Sequence, residues 1–152
     1  DNTSRTMLHD AFQNVKIRFP FTVDAICLLP DHLHCIWTLP EGDSNYAIRW
    51  KEIKRLFSRQ YGRQYGCPEI RNQSRINRQE STLWQRRYWE HTIWDEKDYL
   101  IHVEYIHFNP VKHGLVSRAA DWEWSSFHRY VSMGKYDAAW GGNDNQTGDF
   151  GE

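Results

Sequence analysis

The apolar positions of the first forty residues change period twice. Between Arg5 and Arg18, Met7, Leu8, Ala11, Phe12 and Val15 recur at three- and four-residue spacing, which predicts a helix with one buried stripe that Pro20 ends. From Phe21 to Leu29 the pattern alternates, with Phe21, Val23, Ala25 and Cys27 on one side, and predicts a strand. Pro30 and Asp31 supply a turn, and His32 to Leu39 reads as a second strand that should pair with the first as a hairpin. Leu33, Cys35 and Trp37 are expected to face the core from it. Asp43 and Ser44 are cap candidates for a helix to about Tyr61, whose apolar positions Tyr46, Trp50, Ile53, Phe57 and Tyr61 step by four, three, four and four.

Residues 62–81 are polar, Arg-rich and without apolar period, the pattern of a loop, and Leu83 to Ile93 is an aromatic-rich strand candidate. Asp95 to Phe108 has helical spacing, with Asn109-Pro110 as its expected stop. Trp122 to Val131 reads as a short helix capped by an acidic residue. The chain is expected to form one domain over residues 1–134, followed by a C-terminal tail over 135–152 that is rich in Gly, Asp and Asn.

Composition adds a location to this outline. The formal net charge is −1, yet eleven basic residues stand against three acidic ones between Arg49 and Tyr88. A positive block inside a neutral chain predicts a polyanion footprint confined to one region, with nucleic acid the leading partner. Arg49, Lys51, Lys54, Arg55, Arg59, Arg63, Arg86 and Arg87 are the expected DNA contacts. Eight Trp, eight Tyr and seven Phe exceed what one core of this size ordinarily needs, so part of that aromatic mass is expected on a working surface. Cys27, Cys35 and Cys67 are odd in number and lack CxxC spacing, which argues against a disulfide framework or a cysteine zinc site and fits a reducing cytoplasm. No apolar run approaches a membrane span.

Two constellations carry possible chemistry. In a strand, alternate side chains share a face, so His32 and His34 project together about 7 Å apart at the backbone and can converge on one divalent ion. Alone, the pair is as consistent with two surface histidines, and a metal would need a further ligand. On a helix, Asp98, His102, Tyr105 and Asn109 fall on one stripe bordered by Tyr99, Val103 and Ile106 on one side and Ile101 and Phe108 on the other. Such a helix suits a cleft wall, although Tyr105 read alone could equally be a packing residue. Taken together, the two constellations suggest phosphoryl transfer, in which a tyrosine attacks a phosphodiester that a metal has polarised.

The run Leu29-Pro30-Asp31-His32-Leu33-His34 with Ile36-Trp37, the run Tyr105 to Gly114, and Trp122-Glu123-Trp124-Ser125-Ser126-Phe127 together resemble the REP-associated tyrosine transposases, relatives of the single-tyrosine insertion-sequence transposases within the His-hydrophobic-His nuclease group. The resemblance extends from about Met7 to Val131. It implies an α+β fold, an antiparallel sheet flanked by helices in a ferredoxin-like arrangement. It also implies a bacterial, cytoplasmic, nucleoid-associated monomer.

For the site, the resemblance implies His32, His34 and Asn109 as ligands of Mg²⁺ or Mn²⁺ and Tyr105 as the nucleophile that forms a 5′-phosphotyrosine. His102 and Glu90 become accessory candidates, and His107, on the opposite side of the helix from Tyr105, a structural one. The implied substrate is single-stranded DNA folded into palindromic, REP-like hairpins, with a short guide tetranucleotide beside the hairpin foot. Family members begin with a strand ahead of the first helix, and here that helix starts near Asp1, so a strand is expected to precede the residues given. The rival expectations are a non-cleaving hairpin-binding protein or repressor on the same fold, and a metal-dependent phosphoesterase or ribonuclease that uses water.

Overall fold

The structure is a computed structural model that describes residues 1–66, 83–84 and 88–142. Arg86, Arg87, Cys67 and most of the Arg-rich loop lie outside the described residues. The fold is α+β, with a two-stranded antiparallel sheet and helices among the described residues, and the chain divides into two compact units.

The first unit takes in residues 1–21 and 39–91. Helix α1 (Asn2–Arg18) buries Met7, Leu8, Ala11, Phe12 and Val15, the stripe that the spacing predicts, and the Asp1 carboxylate caps it by accepting the Ser4 N–H at 2.8 Å. Helix α2 (Tyr46–Tyr65) packs on α1 through Trp50, whose ring meets Phe12 edge-on at 5.9 Å. Its N-cap is Asn45 rather than Asp43 or Ser44, and it runs one turn past Tyr61. The Asp43 carboxylate has a different task. Together with the carbonyls of Pro20 and Asn45 it holds the guanidinium of Arg49, which is 1% exposed. Leu83, Trp84 and Tyr88 to Ile93 form no strand; Trp84 instead donates its indole N–H to Ser58 on α2 at 2.9 Å.

The second unit takes in residues 22–38 and 92–142. Strands β1 (Thr22–Leu28) and β2 (Leu33–Thr38) pair with Cys27 opposite His34 and Ala25 opposite Ile36. That register places Ala25, Cys27, His34 and Ile36 on one face. Helix α3 (Glu96–Lys112) packs there, and Val103 and Ile106 join Ala25, Cys27, Leu29 and Ile36 in the core. His34 and Ile36 thus share the face that α3 covers, whereas Leu33, Cys35 and Trp37 stand on the opposite face, where burial still pushes the Cys35 thiol up to about 12.

The Trp122–Ser126 segment is an edge to the sheet rather than a helix. The Leu28 N–H donates to the Trp124 carbonyl and the Ser126 N–H to the Ile26 carbonyl, each at 2.8 Å, while the Trp122 indole N–H donates to the Leu28 carbonyl at 3.0 Å. Helix α4 (Phe127–Ser132) follows, with Ser126 rather than an acid at its cap. Tyr136 and Trp140 stack on Phe127, with ring centres 5.4 and 5.9 Å away.

Helix α3 does not stop at Asn109-Pro110. Pro110 lies inside it, and the helix ends two residues later in a Schellman turn in which the Gly114 N–H reaches the Val111 carbonyl and the Leu115 N–H the Pro110 carbonyl. Gly114 has φ +67°, the left-handed conformation that such a turn demands of its glycine.

Candidate metal and nucleophile site

The hairpin mouth and the last two turns of α3 bring four rings together. His32 precedes β2, and a Leu29 N–H to His32 carbonyl bond of 2.8 Å closes the turn that carries it. The His32 ring lies edge-on to that of His34 at 5.0 Å, and the His34 ring edge-on to that of Tyr105 at 5.5 Å. His113 completes the cluster, 5.4 Å from His32. Lys112 places its ammonium 5.1 Å from the centre of the Tyr105 ring.

The electrostatics favour a neutral imidazole at His34. Burial, and then the neighbouring His32, His113 and Lys112, push its pKa down to about 4, so its ring keeps a lone pair for a cation at neutral pH. His32 Nδ1 lies 2.6 Å from the Asp31 carboxylate, an arrangement that orients the ring and leaves the Nε2 lone pair for a cation. The same contact holds the Asp31 carboxyl below its usual range.

Asn109 sits one helical turn from Tyr105 on one side and from His113 on the other. It is 0% exposed, and among the described residues neither its amide oxygen nor its amide nitrogen has a hydrogen-bond partner. A buried amide without partners costs on the order of 1–3 kcal/mol, so an asparagine in this state fits a ligand better than a packing role. Two imidazoles and an amide oxygen form a donor set that a divalent cation accepts, with Mn²⁺ more tolerant of nitrogen than Mg²⁺.

Other residues singled out in the sequence separate from this cluster in their contacts. His102 Nδ1 lies 3.1 Å from the Asp98 carboxylate and 2.8 Å from the Asp98 carbonyl. Glu90 accepts the Tyr46 hydroxyl and pushes that phenol up to about 12. His107 is buried on the far side of α3, with Nε2 2.8 Å from Ser126 Oγ and Nδ1 3.3 Å from the Tyr136 hydroxyl. His113 and Lys112 gain no role from the sequence pattern, because the expected stop at Pro110 hides the turn that extends the Asp98-His102-Tyr105-Asn109 stripe to them.

On α2, Arg49 is withdrawn from the expected DNA contacts: its guanidinium is committed inside the unit and does not present charge to a phosphate. Arg55 is tied to Glu52 at 2.8 Å. The Lys54 ammonium lies over the Trp84 and Tyr88 rings, at 5.5 and 5.2 Å. Lys51, Arg59 and Arg63 are exposed, and the last two, with Ala11, Asn14, Leu56 and Gln60, line a cavity of about 300 Å³.

An α+β hairpin whose paired histidines meet a helix-borne tyrosine is the layout that the single-tyrosine transposase resemblance implies. Comparison with known proteins points to the same family. The chain is 44% identical over 141 residues to the REP-associated tyrosine transposase of Escherichia coli (strain K12), across 93% of this chain and 75% of that protein. It is 47% identical over 133 residues to a Haemophilus influenzae protein named for the same family, across 88% of this chain and 74% of that one. A solved structure of a REP-associated tyrosine transposase bound to a REP hairpin superposes with a TM-score of 0.77 at 42% identity, covering 96% of this chain and 78% of that one. No protein-family model matches. The chain belongs to the REP-associated tyrosine transposases. Among the described residues no helix is long and apolar enough to cross a membrane.

Proposed function

We propose that this protein nicks and rejoins single-stranded DNA at palindromic, REP-like hairpins, with Tyr105 as nucleophile and His32, His34 and Asn109 holding a divalent cation, Mg²⁺ or Mn²⁺. The observation that carries the reading is the meeting of the His34 and Tyr105 rings at 5.5 Å, with the unpaired buried amide of Asn109 one turn further along the tyrosine's helix. A bound cation would polarise the phosphate oxygens as a Lewis acid.

The chain's own groups account for the rest. The Tyr105 oxygen forms a bond to phosphorus as the bond from phosphorus to the 3′ oxygen breaks. The phenol proton passes to solvent, and the departing 3′ oxygen takes one up. The product is a 5′-phosphotyrosine with a free 3′-hydroxyl, and attack by a DNA hydroxyl in the reverse sense joins new ends. Lys112, with its charge beside the Tyr105 ring, offsets the negative charge that gathers on the phosphate. The neutral His34 and the Asp31-oriented His32 keep their lone pairs for the cation. The protein would act as a monomer in the bacterial cytoplasm, at the nucleoid, where its substrate lies.

The test is incubation with a single-stranded palindromic hairpin and Mn²⁺ or Mg²⁺, followed by a denaturing gel. A covalent protein–DNA band is expected for the wild type. Tyr105→Phe should lose it while binding the hairpin nearly as well. Cleavage that persists in Tyr105→Phe would reassign the nucleophile to water, and hairpin binding by the wild type without cleavage would make the protein a repressor-type binder.

A further inference from the structure

We propose that Trp89, backed by His91, is a stacking platform for an unpaired nucleobase of the single-stranded DNA, an inference that rests on the DNA-processing reading above. Trp89 is 76% exposed, a large apolar ring presented to solvent. It is not splayed at random. The His91 ring stacks against it, 9° from parallel with centres 5.7 Å apart, so one face of the indole is backed. Tyr88, next along the chain and 47% exposed, meets Tyr46 edge-on at 6.5 Å and carries the Lys54 ammonium over its ring. The ledge is thereby tied to α2, whose exposed residues include Lys51, Arg59 and Arg63.

The charge chooses the occupant. An apolar protein surface docked on Trp89 would bring no anions for the cations of the same unit, whereas single-stranded DNA offers a flat π-face for the indole and a phosphate chain for the Lys and Arg residues. Stacking needs no base edge, so the platform would hold any base and would leave sequence choice to other contacts.

Two probes separate this contribution from general DNA affinity: a short oligothymidine, and a blunt hairpin without unpaired flanks. Trp89→Ala should weaken oligothymidine binding about tenfold, Trp89→Phe should retain most of it, and the slope of affinity against salt should stay constant because every phosphate keeps its cation. Binding of the blunt hairpin should change less than about twofold, which also shows that the variant is folded. An oligomer of the same length made of abasic sites should bind wild type and Trp89→Ala equally.

Unchanged oligothymidine affinity in Trp89→Ala overturns the platform, as does a loss of the same size on both probes or on the abasic oligomer. If the wild type binds neither DNA, the DNA reading itself falls and the platform with it. If it binds both with Trp89→Ala unaltered, the platform alone falls.

Discussion

Acid should loosen this protein through His107, and the size of the effect follows from its surroundings. The ring is 0% exposed, with Ser126 Oγ at 2.8 Å on one nitrogen and the Tyr136 hydroxyl at 3.3 Å on the other. Burial, and then the charge of Arg129, lower its pKa from 6.5 to about 4. The folded state therefore keeps this histidine neutral at pH values where the unfolded chain has already protonated it. Its contribution is complete above pH 6.5 and is lost as the pH falls toward about 4, because the unfolded state binds the extra proton. At about pH 5 the linkage amounts to about 2 kcal/mol.

Urea unfolding of the wild type and of His107→Gln, each at neutral pH and at about pH 5, measures it. Glutamine does not titrate and its amide nitrogen can still meet Ser126, so the variant should lose about 2 kcal/mol less than the wild type over that interval. His34, also held near 4, titrates in both proteins and cancels. Parallel losses in the two proteins would refute the account of His107 as a neutral buried link.

Asn109→Leu should bind Mn²⁺ at least tenfold more weakly by calorimetry, while the melting temperature of the metal-free protein stays level or rises, because two unpaired polar atoms leave the interior. A lower metal-free melting temperature would mark the asparagine as structural. Arg49→Ala should cost about 2 kcal/mol or more in denaturant unfolding, because the Pro20 and Asn45 carbonyls lose their donor. It should leave the salt dependence of DNA affinity unaltered, whereas Arg59→Ala with Arg63→Ala should reduce that slope, on single strands, by about 0.7 for each phosphate that goes without its cation. A flatter slope in Arg49→Ala would return that residue to the DNA surface.

Legibility in the sequence followed how local the determining physics was. The stripe of α1 and the hairpin turn at Pro30-Asp31 depend on residues within a few positions of one another, and both appear in the structure at nearly the expected bounds. The inward face of β2 was not legible, because alternation separates two faces without saying which one a distant helix covers; Val103 and Ile106 of α3 decide that. Arg49 reads as one more cation on a basic helix until Pro20 and Asp43 close around it. Likewise, Trp122–Ser126 reads as the start of a helix, but the free edge of β1 takes its backbone bonds first.

The site itself turns on a proline that does not break its helix. Pro110 has no N–H to give to the carbonyl of Ile106 one turn back, yet α3 continues through it to Lys112. Because the helix continues through it and closes at Gly114, the stripe that starts at Asp98 reaches beyond Asn109 and returns two cationic or imidazole groups to the tyrosine's end of the hairpin. Lys112 comes over Tyr105, and His113 comes against His32. A chain that ended the helix at Asn109 would keep the tyrosine and the two strand-borne histidines but would lose the positive surroundings that help hold His34 neutral. The run from Asn109 to Gly114 is therefore part of the site's electrostatics as well as the helix's stop.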